Sequence, residues 1–229
     1  MSLLEVGLVS SLFTPIDNSK PVYNGTELMV VENCLSVSEC EQWVEFAERK
    51  AGVPAPVGNT QNSGAAAQNV QNQAFVADRI NLMAEPEQKA AAIALYRDLY
   101  GRQVKKHYGI DIEWFEIPHI LRYTSGGNYN YHADAEAWDQ QQQCWVRGVD
   151  RDYSCVTYLN SDFTGGTLAF PYLNLRLHPR AGLVVIFPSD HRFLHSAEET
   201  TSGKRYAMVT WAAKIGSERV MAPPHVVRL

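Results

Sequence analysis

Apolar positions recur at helical spacing twice in the first 110 residues, then break into short alternating runs. In "LSVSECEQWVEFAERKAG" (35–52), Cys40, Trp43, Val44 and Ala47 form a stripe. Ser36 and Glu39 have capping-box spacing ahead of that stripe, and Gly52 can end the helix. A second helix is expected over 85–109, where Pro86 suits a first turn, Ile93, Tyr96 and Tyr100 recur, and Gly109 closes it. The stretch 57–73, "VGNTQNSGAAAQNVQNQ", has no period and reads as a mobile loop, either a spacer or a lid.

From about residue 112 the period changes to that of strands. "EIPHILRYT", "YNYHAD", "YSCVTYLN", "TLAFP", "NLRLHP", "GLVVIFP", "RFLHSAEE" and "KRYAMVTWAAKI" make eight short runs, punctuated by Gly165-Gly166, 179–182 and 188–190. Short strands at such even spacing indicate a sandwich or jelly roll. The expected organisation is a single domain over 1–229. A helical region and loop (1–111) precedes a β core (112–215) and an arm (216–229).

Composition narrows the class. With 45% hydrophobic and 20% charged residues the chain reads as globular, and a net charge of −5 disfavours a nucleic-acid partner. No run approaches the roughly 20 apolar residues of a membrane span. "MSLLEVGLVSSLF" lacks a basic start and is interrupted by Glu5, which makes a poor signal peptide. Cysteines 34, 40, 144 and 155 form no CxxC pair, so free thiols and a cytoplasmic location are expected.

The chemistry concentrates in "NYNYHADAEAW" (128–138). On a strand, His132 and Asp134 share one face while Ala133 points away. His195, within a later strand, is the best third ligand. Two histidines and a carboxylate on one face of an octahedron leave adjacent positions open, the pattern of non-haem Fe(II) oxygenases. Arg205 opens "RYAMVTW" and shares a face with Ala207, Val209 and Trp211. A guanidinium at the end of an apolar slot is costly unless an anion meets it, and a dicarboxylate would fit.

As a set, "LRYTSGGNYNYHAD", "CVTYLN", "GGTLAFP", "GLVVIFP" and "LHSAEETTSGKRYAMVTW" resemble the Fe(II)- and 2-oxoglutarate-dependent oxygenases, on their prolyl 4-hydroxylase-like branch. The likeness runs from about 117 to 214. It implies a mainly β fold, a double-stranded β-helix (jelly roll) with N-terminal helices packed on the major sheet. It also implies Fe(II), 2-oxoglutarate and O2, with the cosubstrate decarboxylated to succinate and CO2 as a C–H bond is hydroxylated. By this resemblance His132, Asp134 and His195 hold iron, Arg205 and Tyr123 bind the distal carboxylate of 2-oxoglutarate, and Thr157 lines its pocket. Tyr129 falls near the iron on the substrate side. Lys204 competes with Arg205 for the anchor, and strand parity favours Arg205.

The insert 135–151 carries Trp138, Trp145 and Arg147, which are candidate substrate contacts or ordinary packing residues. His119, His178 and His191 read as structural or surface residues, and Glu136 and Asp190 as loop carboxylates. The implied substrate is a prolyl residue in a peptide or protein. The alternatives are a free amino acid, a lysyl side chain or a non-catalytic binding module. Nucleic-acid demethylation fits the acidic balance poorly.

Overall fold

The computed structural model describes residues 12–21, 23, 25–55 and 76–229, so the 57–73 stretch lies outside the described residues. All eight strand-like runs contain strands. The larger sheet runs, neighbour by neighbour, through Met29–Val31, Val184–Pro188, Tyr153–Tyr158, Arg205–Lys214, His119–Tyr123, Asp78–Asn81 and Val53–Pro54. Ile112–Glu116 pairs with the far half of Arg205–Lys214 and is flanked in turn by Val226–Arg228. The smaller sheet is ordered Phe13–Thr14, Leu175–Leu177, Leu168–Phe170, His195–Ala197 and Tyr129–His132. Every pairing in both sheets is antiparallel.

Side-chain alternation divides the interior into two layers. Val184, Ile186, Cys155, Tyr206 and Met208 join one apolar cluster with the helix residues Cys40, Phe46, Tyr96 and Tyr100. Val185, Phe187 and Ala207, one position along, belong to a second cluster with Leu168, Phe170, Leu175 and Leu177 of the smaller sheet. The middle strands are apolar on both faces because one face meets helices and the other meets a sheet. They therefore read as nearly continuous apolar runs.

The first helix, Val37–Glu48, has the reciprocal capping box: Ser36 accepts from the Glu39 N–H, and the Glu39 carboxylate accepts from the Ser36 N–H at 2.8 Å. It stops at Arg49, three residues before the glycine expected to end it. The second spans Pro86–Asp98, continues as a π-helical turn, Leu99–Val104, and resumes as Lys105–Tyr108. Gly109 ends it at φ +69, a left-handed conformation suited to glycine.

The insert 135–151 contains a hairpin, Glu136–Asp139 against Cys144–Arg147, with Gln143 at φ +52 in its turn. Four glutamines give no recognisable turn signal, which is why the pattern concealed it. The arm is also ordered in part. Its Val226–Arg228 strand lies antiparallel on Ile112–Glu116. All four cysteines are free, and no helix among the described residues is long and apolar enough to cross a membrane.

Candidate active site

Three pairings bring the ligand candidates together. His195 lies opposite His132 in the register of the smaller sheet, with ring centroids 4.3 Å apart. Asp134, two residues past His132, points to the same place. His132 Nε2 is 3.5 Å from Asp134 Oδ1, and His195 Nε2 is 3.5 Å from Asp134 Oδ2. One donor atom from each residue falls within 4.8 Å of the other two. An octahedral edge with bonds of about 2.1 Å measures about 3 Å, so one divalent ion would draw these donors in from separations of up to 4.8 Å.

The backbone fixes the orientation of both rings. His132 Nδ1 lies 2.8 Å from the Asn130 carbonyl oxygen, and His195 Nδ1 lies 2.9 Å from that of Phe193. A carbonyl only accepts, so Nδ1 carries the proton and each Nε2 lone pair faces the common centre. Ser154 Oγ donates to Asp134 Oδ2 at 2.6 Å and is itself 2.7 Å from Ser189 Oγ. Arg151 Nη1 reaches the Asp134 carbonyl at 3.4 Å.

Charges in the site favour ligation. Burial raises the Asp134 pKa, but His195, His132 and Arg151 outweigh it and hold the carboxyl well below its usual range. Burial, then His132, push the His195 pKa down to about 4, so its imidazole is neutral at neutral pH. His119 is depressed too, by burial and by Arg79 and Arg151. A histidine depressed in the fold binds its proton more readily when unfolded. The stability that His195 confers is therefore complete above about pH 6.5 and lost as pH falls towards 4, and His119 acts in the same direction below about pH 6.5. Metal-free protein is expected to unfold at lower urea at pH 5 than at pH 7, and His119→Gln should flatten that dependence. Equal midpoints at the two pH values would refute it.

The triad lies in a cleft of about 280 Å³. Leu121, Tyr123, Val156, Ala197 and Val209 give it apolar walls from both sheets. The Tyr129 ring stacks on His132 with centroids 3.6 Å apart. Arg205, Ala207, Val209 and Trp211 all line the cleft, as alternation along their strand requires.

Arg205 is 2% exposed, and its Nε and Nη1 have no hydrogen-bond partner among the described residues. No carboxylate lies within ion-pair distance of it among those residues. Its guanidinium sits 4.5 Å from the Tyr123 ring centre and 5.2 Å from that of Tyr158. Thr200 Oγ1 is also buried with no hydrogen-bond partner among the described residues, while the Tyr158 side chain interacts with Arg205. Gly166, at φ +64, keeps this corner open, since a Cβ there would come 2.8 Å from Arg205 Cδ and 3.2 Å from Thr200 Oγ1. Lys204 points away and pairs with Glu48 at 2.7 Å. Burial raises the Tyr123 phenol to about 12, keeping it protonated and able to donate.

Other expected residues lie elsewhere. Thr157 faces the helices, with its Oγ1 2.8 Å from Tyr96 Oη, and Val156 takes the position towards the cleft. Trp145 stacks on His191 at 5.4 Å, Trp138 packs edge-on to Trp145, and Arg147 pairs with Asp152 at 3.1 Å. None of Trp138, Trp145 and Arg147 is among the residues lining the cleft. His191 Nδ1 is 2.6 Å from Glu136 Oε2, a contact that fastens the hairpin beside the site.

Sequence reasoning missed Ser154, Arg151, Arg79 and Glu116. Arg151 forks onto Glu116 at 2.5 and 3.0 Å and lies 3.7 Å over the Trp211 ring, inside the cleft. Alternation could have found Ser154 had the phase of "YSCVTYLN" been fixed. Nothing local in the sequence marks Arg151 or Arg79.

Residues 118–213 match the model of the 2OG-Fe(II) oxygenase superfamily. A putative prolyl 4-hydroxylase of Acanthamoeba polyphaga mimivirus is 23% identical over 194 residues, covering 80% of this chain and 72% of that protein. Prolyl 3-hydroxylase 1 of Gallus gallus is 24% identical over 220 residues, 85% of this chain, which spans only 30% of that longer protein. Among solved structures, a viral collagen prolyl hydroxylase from Paramecium bursaria Chlorella virus 1, in complex with 2-oxoglutarate, superposes with a TM-score of 0.60 at 17% identity, covering 84% of this chain and 99% of that one. A Trichoplax adhaerens prolyl hydroxylase, bound to a peptide of hypoxia inducible factor, gives 0.58 at 19% identity over 85% and 89% of the two chains.

Over residues 118–213 the chain matches the 2-oxoglutarate- and Fe(II)-dependent oxygenases. It is prolyl 4-hydroxylase-like among them, a dioxygenase that works with Fe(II), 2-oxoglutarate and O2.

Proposed function

We propose that this dioxygenase hydroxylates a prolyl residue in a peptide or protein. In this reading the two sheets are the halves of a double-stranded β-helix backed by the N-terminal helices, and His132, Asp134 and His195 hold Fe(II). The metal, when bound, supplies the oxygen chemistry. Arg205 receives the distal carboxylate of 2-oxoglutarate, with Tyr123 donating its hydroxyl to the same group. Tyr129, stacked beside the iron ligands, bounds the substrate side, and Ser154 keeps the Asp134 carboxylate aimed at the metal.

One observation carries the cosubstrate assignment. Arg205 is a buried cation, unpaired with any carboxylate among the described residues, in the same cleft as the triad. An uncompensated buried charge is expensive, and a carboxylate would answer it with a bidentate pair. A binding module that merely kept the fold has no use for both features together. The prolyl substrate is supported by the names of the relatives, one of which was solved with a peptide.

A second reading, a free amino acid, has an observation of its own. Arg79 lines the cleft with a buried Nε that has no partner among the described residues, which suits a substrate carboxylate. Prolyl peptides, free proline and lysyl peptides offered with Fe(II) and 2-oxoglutarate separate the two readings. The expected result is an oxygen-atom mass gain on prolyl peptides with matching succinate. A gain confined to free amino acids would overturn the peptide assignment.

A further inference from the structure

The family match stops at residue 213, yet the cleft does not. Pro223 and Pro224 line it together with the triad, Arg151, Glu116 and Trp211. They belong to a short span fastened at both ends. Upstream, the buried Asp150 carboxylate accepts from the Val220 and Met221 N–H groups at 2.6 and 3.1 Å, and the Asp150 N–H donates to the Met221 carbonyl at 2.9 Å. Downstream, the Ile117 N–H donates to the His225 carbonyl at 3.1 Å, and Val226, Val227 and Arg228 pair with Glu116, Phe115 and Trp114.

Between these anchors lie Ala222, Pro223 and Pro224. Three residues reach at most about 10 Å, so the span has little slack. Each proline has a fixed φ and no N–H to satisfy, and each also restrains the residue before it to extended geometry. A stiff segment that makes no demand for donors is well suited to stand at the rim of a cleft. The cavity itself is small. About 280 Å³ must take both the cosubstrate and a substrate side chain, whereas ligand pockets commonly run from about 300 to 1,000 Å³.

We propose that Pro223 and Pro224 form a fixed wall at the substrate end of the cleft that selects for a small residue beside the one hydroxylated. The inference rests on the prolyl reading above and adds what flanks the target. The wall acts by exclusion. It occupies the space a bulky neighbour would need and, being tethered through Asp150 and the sheet edge, cannot move aside cheaply.

The test uses X-Pro-Gly peptides with X as Gly, Ser, Leu or Phe, together with free amino acids and lysyl peptides. The parent is expected to favour small X by about tenfold or more in kcat/KM, the scale on which a pocket discriminates a few methylene groups. In Pro223→Gly/Pro224→Gly that ratio should fall to about threefold or less. Asp150→Asn, which loosens the upstream anchor and leaves the prolines in place, should shift the ratio the same way. An unchanged ratio in both variants overturns the proposal. So does an oxygen-atom mass gain on the tryptic peptide 220–228 during turnover, because the span would then be a substrate and not a wall. If the parent prefers free amino acids or lysyl peptides, the prolyl reading falls, and the wall is judged by the same small-to-bulky ratio within that set.

Discussion

His132→Ala is expected to abolish hydroxylation and to weaken Fe(II) binding by more than about 100-fold, beyond the 10–100-fold typical of losing a supporting hydrogen bond to a ligand. His132 is the cleaner of the two histidines to remove. Its side chain is partly exposed, and it bridges no core cluster. His195 is buried against Phe187, 4.8 Å between ring centres, and Phe170, so its loss would also leave a cavity and confuse binding with stability. Equilibrium dialysis under anaerobic conditions reads the affinity, and far-UV circular dichroism checks the fold. A His132→Ala protein that keeps parent-like Fe(II) affinity would remove it from the site.

The second large effect is expected at Arg205, and it has two signs. Arg205→Met should cost 2-oxoglutarate at least about tenfold in affinity, because charge-assisted bonds contribute roughly 1.5–3 kcal/mol and tenfold is about 1.4 kcal/mol. Without cosubstrate the same change removes a buried charge that no carboxylate among the described residues pairs with, so the unliganded variant should be as stable as the parent or more so. The parent should gain about 2.7 kcal/mol at a 2-oxoglutarate concentration 100 times its Kd, and the variant, at that concentration, far less. Thermal melts with and without 2-oxoglutarate measure both signs. A variant stabilised as much as the parent would place the anchor elsewhere. Lys204 is a poor replacement, since it is engaged by Glu48.

The part of this site legible in the sequence was the part that alternation along a single strand decides. His132 and Asp134 two apart, and Arg205 with Ala207, Val209 and Trp211, follow from period two alone. Alternation fails where its phase is not anchored. In "YSCVTYLN" both faces are buried, one against helices and one in the cleft, so composition did not show that Val156 and not Thr157 turns inward.

What depends on register between strands was invisible. Arg151 becomes a cleft residue because Ile112–Glu116 brings Glu116 to meet it, and Pro223 because Val226–Arg228 pairs at that same edge. The hairpin beside the metal pair was concealed for a different reason: its turn uses Gln143 in a left-handed conformation where glycine or asparagine is the usual marker.

Each histidine of the triad is oriented by a carbonyl two residues earlier in its own chain, Asn130 for His132 and Phe193 for His195. Main-chain acceptors persist whatever side chain stands at positions 130 and 193. The orientation of the rings is therefore insulated from changes to the surrounding side chains. The cleft walls can then drift, or be redesigned for another substrate, without retuning the proposed metal centre. Libraries that randomise Tyr129, Arg79, Pro223 and Pro224 should thus return many altered specificities and few dead centres.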